Sequence, residues 1–202
     1  LYTGEMLRRA WLKRFPQYVS DNGAQLTNQR LFKWLARLRT GRRPFFLFLN
    51  YMEAHTPYPK NLMAHKFFTI PKQAMEKYPS PDWDLYNCRA ENRKKLRNIA
   101  VKWYDGSIFY LDDQIRQLFE QLSRLGLLEN SIIIILSDHG ESFGEHNWWG
   151  HGVNLYDSEI KVPLLVYYPK KLPPRRISQD FSFKEIPGLI LKLIYDCRGR
   201  AC

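Results

Sequence analysis

SIIIILSDHGE, Ser131–Glu141, decides how this chain is read. Four isoleucines and a leucine follow one another, apolar on both faces and rich in β-branched side chains. A run of that length predicts a central strand covered above and below. The chain then changes character. Leu136–Gly152, LSDHGESFGEHNWWGHG, holds three histidines, one aspartate and two glutamates in seventeen residues. So many metal-type and proton-transfer side chains directly past a buried strand point to a site at a sheet edge.

Upstream, one long helix is expected from about Ala90 to Leu125. Ile108, Leu111, Ile115, Leu118, Leu122 and Leu125 recur at helical spacing, and Gly126 stops the run. PFFLFLNYM, 44–52, opens on proline and is continuously apolar, which predicts a second strand buried on both faces over 45–50. Before it, TNQRLFKWLARLR predicts a helix capped by Thr27, with Leu31, Leu35 and Leu38 on its apolar face. Downstream, VPLLVYYP, 162–169, predicts a third strand, and Phe183–Tyr195 a short amphipathic helix. Residues 1–25 are poorly defined. Residues 56–95 read as a long, proline-punctuated excursion on the substrate side. Alternating apolar strands and helices predict an α/β layered domain with a mostly parallel sheet.

The 202 residues suffice for one domain with a core, and 45% hydrophobic residues argue against disorder. The longest apolar runs fall far short of the roughly 18 residues of a membrane span. A formal charge of +11 favours anionic partners. The basic residues are scattered, however, over Arg8–Arg14, Arg30–Arg43, Arg89–Arg97 and Lys170–Arg176. These read as solvated surface, and nucleic acid is not an expected partner. Cys88, Cys197 and Cys202 form no C-x-x-C pair. Free thiols in a reducing, cytoplasmic compartment are the expectation, with one disulfide and a leftover thiol as the alternative.

Asp138 and His139 end the strand beside Gly140, so both can face one divalent cation of intermediate hardness. His55, in MEAHTPY, and His151, in WGHG, fall on the same predicted edge. Each could bind an anion or protonate a leaving group. Glu141 and Glu145 could brace ring nitrogens, although surface loop carboxylates are the plainer expectation. His65 and His146 read as structural, and Asp112 and Asp113 as a solvated helix face. Trp148 and Trp149 line a pocket or simply pack. No H-E-x-x-H occurs.

Three blocks carry a resemblance. PFFLFLNYMEAHTPY, YDGSIFYLDDQIRQLFEQLSRLGLLENSIIIILSDHGESFGEH and WGHGVNLYDSEIKVPLLVYYP resemble, in order and spacing, the later part of the sulfatase domain of the alkaline-phosphatase superfamily. The resemblance runs from about Asp21 to Tyr195. It implies an α/β/α three-layer sandwich with a mostly parallel central sheet, here incomplete, and hydrolysis of a sulfate ester with one bound divalent cation. Asp138 and His139 match the family's later pair of metal ligands, His55 a histidine that contacts the sulfate group, and His151 a Lys or His position that binds sulfate or assists the leaving group. The cation implied is Ca2+. Sulfatases often have Asn in place of His139, and Asp–His relatives that handle phosphoryl groups often use Mn2+ or Zn2+. The substrate implied is a sulfate-ester small molecule or a sulfated saccharide.

Two elements of the family pattern are missing, an aspartate pair near its N-terminus and the nucleophile motif that follows it. Neither cysteine nor serine stands in Cys/Ser-x-Pro-x-Arg, the motif whose first residue becomes formylglycine. That group is expected upstream of Leu1, and these 202 residues alone are expected to be inactive and aggregation-prone. The alternatives are a phosphoric or phosphonic ester hydrolase, a phosphoryl-group transferase, or a degenerate non-catalytic anion-binding member.

Overall fold

The computed structural model describes residues 22–38, 44–58 and 90–195. Helix α1 spans Ala24–Arg37 and helix α2 spans Ala90–Arg124. After a 3-10 turn come strand β1 (Ile133–Leu136), strand β2 (Ser142–Phe143) and strand β3 (Trp149–Gly150). Helix α3 (Asp157–Ile160), strand β4 (Leu164–Tyr167) and helix α4 (Ile186–Tyr195) follow. His65, Cys88, Cys197, Cys202, the N-terminal segment before residue 22 and most of the 56–95 excursion lie outside the described residues.

Helix α2 is the spine. Its C-terminal half buries Leu118 and Leu122 against Leu31 and Leu35 of α1, with Leu49 and Ile133 packed alongside. The ring of Phe119 meets Tyr167 of β4 edge-on, with centroids 5.4 Å apart. Its N-terminal half buries Leu96 and Ala100 against Trp149 of β3, and Ile99 and Trp103 against Tyr58. The stripe foreseen at Ile108–Leu125 therefore holds toward the C-terminus only. Ile108 is exposed, and the buried face continues through Ser107 and Trp103 to Leu96, along a line of larger and polar residues that an aliphatic count passes over. Gly126, at φ 66°, ends α2. The Leu127 N–H bonds Leu122 O and the Gly126 N–H bonds Ser123 O, the paired closure that a left-handed residue permits.

Helix α1 starts earlier than foreseen. Gly23 stands at its N-cap and Thr27 lies inside the helix. The capping oxygen comes from far along the chain: Glu53 Oε1 accepts the Ala24 N–H at 2.8 Å. A carboxylate there meets both an unsatisfied donor and the positive end of the helix dipole. Asn28 adds a buried tie, donating to Gln114 O (2.9 Å) and accepting from the Tyr51 hydroxyl (2.7 Å).

The sheet departs from expectation. Among the described residues the ladders are two, each two-stranded and antiparallel: β1 with β4, Ile133 opposite Tyr167 through Leu136 opposite Leu164, and β2 with β3. No parallel ladder is present among them. Antiparallel pairs do occur within mixed α/β sheets. The 45–50 run forms no ladder, and Phe46 and Phe48 are 80% and 81% exposed. A strand exists only through a partner's N–H and C=O groups, and none of the described strands pairs with this run. β1 and β4 are likewise half-buried rather than covered on both faces.

Candidate active site

The site is built from three turns. The first, 51–58, follows the unpaired apolar run and carries His55. Asn22 straddles it, its side-chain N–H groups donating to Met52 O (3.0 Å) and Pro57 O (3.2 Å). Glu53, fully buried, fastens the same turn to the start of α1. Burial and the neighbouring Glu53 push the Tyr51 hydroxyl up to about 12.

The second turn, Asp138–Gly140, leaves β1. The Gly140 N–H donates to Glu159 O at 2.7 Å. A side chain at Gly140 would place its Cβ 2.1 Å from Ser158 O, so only glycine allows this approach. The third turn carries His151. Gly152, at φ 95°, donates its N–H to Glu159 Oε2 at 2.7 Å. Glu159, buried in α3, thus braces both histidine turns of this half, one through its carbonyl and one through its carboxylate.

The turns bring His55, His139 and His151 together, with ring nitrogens within 4.8 Å of one another. In each ring Nδ1 is engaged by an acceptor: Thr56 O for His55, Gly140 O (2.8 Å) for His139, and the Glu141 carboxylate (3.1 and 3.2 Å) for His151. Since a carbonyl or carboxylate only accepts, each Nδ1 carries the proton and each Nε2 is left for a ligand. The fourth residue foreseen, Asp138, stands beside this group with its side chain 89% exposed.

Geometry divides the labour. Asp138 Oδ1 and His139 Nε2 are 3.9 Å apart, a separation that two ligands each about 2.1–2.4 Å from one divalent cation can span. The pair therefore fits part of such a site. The three histidines fit one ion less well. His139 and His151 stack with centroids 4.1 Å apart and planes inclined by 24°. A lone pair lies in its ring plane, so stacked rings do not converge on one point at the ~2.0–2.1 Å of a metal–nitrogen bond. His55 meets His151 edge-on at 4.8 Å. Nitrogens spread in this way can reach separate oxygens of one tetrahedral oxyanion when Nε2 too carries a proton, since an oxyanion only accepts.

Behind the histidines sits Glu141. It is no surface carboxylate: its side chain is 5% exposed. The Tyr58 hydroxyl reaches its Oε2 at 3.5 Å. Burial pushes the carboxyl above its usual range, and the His151 hydrogen bond pulls it back. Burial likewise raises the Tyr104 hydroxyl, helped by Glu141 and Asp105. Glu145 instead pairs with Arg97 at 3.1 Å, and His146 stacks on Tyr156 at 3.9 Å, outside the cluster. Asp113 lies on the helix surface and bonds Arg116. Glu53 and Glu159 carried no sequence signal of their own. The glycines beside His139 and His151 hinted that another backbone or carboxylate comes close.

The turns thus gather three histidines beside an aspartate, residue types that metal-assisted ester hydrolysis can use. Comparison with known proteins narrows this. The family model described as Sulfatase matches residues 4–195. The chain is 33% identical over 152 residues to an arylsulfatase of Clostridium perfringens, covering 67% of this chain and 30% of the relative. It is 28% identical over 172 residues to iduronate 2-sulfatase of Mus musculus (73% and 31%) and 25% identical over 190 residues to choline-sulfatase of Rhizobium meliloti (84% and 35%). The chain belongs to the sulfatase family. That domain is an alkaline-phosphatase-like α/β fold, and its members generally bind a divalent metal. The chain spans about a third of the length of these curated relatives.

Proposed function

We propose that the protein hydrolyses sulfate monoesters, with residues 1–202 supplying the sulfate-binding and leaving-group side of the site as part of a single three-layer domain with a mostly parallel central sheet. The observation that carries this reading is the convergence of His55, His139 and His151, each with Nδ1 already engaged, in a chain of the sulfatase family.

Asp138 and His139 supply two ligands of one divalent cation, Ca2+ first and Mn2+ or Zn2+ as alternatives. When bound, that cation draws negative charge from the sulfate oxygens. His55 and His151, as imidazolium rings, donate Nε2–H to the sulfate oxygens. As the ester S–O bond breaks, His151 gives its Nε2 proton to the departing alcohol oxygen and keeps the Nδ1 proton that Glu141 holds. No Cys/Ser-x-Pro-x-Arg occurs in the 202 residues, so on this reading these residues supply sulfate binding and leaving-group protonation and not the nucleophile. The substrate is a small sulfate ester or a sulfated saccharide. Support for the second comes from a relative named endo-4-O-sulfatase, of Bacteroides thetaiotaomicron, 29% identical over 159 residues.

A phosphoryl-handling activity is the second reading, favoured by His139 where sulfatases often carry Asn. One experiment separates them: metal-dependent release of sulfate from an aryl sulfate, against release of phosphate from the matching aryl phosphate, by the native-length protein. Sulfate release that falls at least about 100-fold in H55A and H151A is the expected result. A kcat/KM for the phosphate exceeding that for the sulfate would replace the first reading with the second.

A further inference from the structure

We infer that Glu141 is a positioning residue for leaving-group protonation: its buried carboxylate fixes His151 in the one tautomer and orientation that present Nε2 to the ester. This deepens the proposed function and rests on the role given there to His151.

Three observations meet at this side chain. Both Glu141 oxygens lie within hydrogen-bonding distance of His151 Nδ1, at 3.1 and 3.2 Å. The carboxylate is almost wholly excluded from water, whereas the ring it holds is 23% exposed. Tyr58, from the other half of the site, reaches Glu141 Oε2 at 3.5 Å and is itself buried against Ile99 and Trp103 of α2. The carboxylate therefore has a fixed place, and the ring is set by it.

The chemistry follows from the tautomer. An acceptor on Nδ1 forces the proton there in the neutral ring, so Nε2 is the nitrogen that gains and gives the second proton. When the ester S–O bond breaks, that proton passes to the alkoxide oxygen. The neutral imidazole that remains is the Nδ1–H form, already bonded to Glu141, so no reorientation accompanies the transfer. A carboxylate behind a histidine serves both ends in other sites, selecting the tautomer and offsetting the imidazolium charge. His139 and His55 have carbonyl acceptors at Nδ1, whereas the acceptor at His151 Nδ1 is a buried carboxylate.

The test uses the native-length protein, the variants E141Q, H151A and their double mutant, and a series of sulfate esters whose leaving alcohols span activated nitrophenols to aliphatic alcohols. An activated phenolate leaves without a proton; an alkoxide does not. E141Q is expected to lower kcat/KM by less than about threefold for nitrophenyl sulfate and by about 10–100-fold for alkyl sulfates. H151A should show the same graded pattern, and the double mutant should be no worse than H151A. If H151A is graded while E141Q lowers every substrate equally, Glu141 is merely structural and the inference fails alone. If H151A itself is flat across the series, the protonation role falls and Glu141's with it. Ring 15N shifts of His151 supply a readout independent of E141Q folding. Wild-type protein is expected to carry the neutral ring as Nδ1–H, and an Nε2–H tautomer would overturn the proposal.

Discussion

The two halves of the site are held by the same device and stand on unequal ground. In each, a buried glutamate reaches a backbone N–H: Glu53 takes Ala24 at the start of α1, and Glu159 takes Gly152 beside His151. Behind the His139 half stands β1, paired with β4 over four residues. Behind the His55 half stands the 44–50 run, equally apolar and unpaired among the described residues. The His139–His151 half is closed by contacts seven to nineteen positions apart, Gly152 with Glu159 and Gly140 with Glu159. The His55 half depends on ties spanning 29 and 35 positions, to Ala24 and from Asn22. Local turns thus fix one side of the chemistry, and distant helices fix the other.

Breaking the local half should cost most. In G140A the new Cβ meets the Ser158 carbonyl at 2.1 Å and the Glu159 Cα at 3.3 Å. Both are backbone atoms and cannot swing aside. The turn or α3 must move, and the Gly140–Glu159 hydrogen bond goes with it. Displacement of about 1 Å in a catalytic group costs on the order of 100-fold. Native-length G140A is expected to lose at least that much kcat/KM for an aryl sulfate. Activity within twofold of wild type would show that the turn is not held by this approach.

The distant half should fail more gently. E53A strips a carboxylate from the α1 N-terminus and leaves the Ala24 N–H buried without its acceptor. An orphaned buried donor costs about 1–3 kcal/mol, read here as a lowered urea midpoint of the native-length protein. His55 loses its anchor in the same step, so KM for the sulfate ester should rise along with the stability loss. A midpoint unchanged by E53A would mean that α1 does not hold the His55 turn.

The apolar run offers a way to sharpen the contrast. Phe46 and Phe48 are the most exposed aromatic side chains of the 44–50 segment, and exposed apolar strand surface drives association. The 202-residue chain is expected to self-associate on size exclusion, and F46S/F48S to reduce the aggregate. A monodisperse wild-type chain would show that the run is covered after all.

What was legible in the sequence divides along the same line. The Asp138–His139 turn, the His151 loop, helix α2 and strand β1 could be read because short-range pattern determines them: a β-branched run, a glycine beside each histidine, a helical repeat. The burial of Glu141 could not, since it comes from Tyr58 and His151 closing on it from segments that sequence spacing does not join. Nor could the N-cap of α1. Thr27 has the right chemistry for a cap, but Glu53, a full charge delivered by another segment, claims the helix start four residues earlier. The 45–50 strand was misread for the converse reason. Apolarity states that a segment will be covered, and only a partner makes it a strand.

The smallest effect is expected farthest from either half, on the solvent face of α2. The Arg116 hydrogen bond holds the Asp113 carboxyl below its usual range, with Gln117 assisting against a modest burial penalty. A lowered folded-state value means that this stabilisation is fully present above the ordinary carboxylate range and is lost as pH falls through the lowered value. The pair is largely exposed, so water and salt screen it. D113N should therefore lower the melting temperature by about 1 °C or less at pH 7 in low salt, with the difference shrinking as salt is added and vanishing in acid. A D113N loss that grew below pH 4 would reverse the sign of this linkage. A loss at pH 7 as large as that of E53A would mean that the surface of α2, and not only its buried line from Leu96 to Leu122, sets the frame on which the two halves meet.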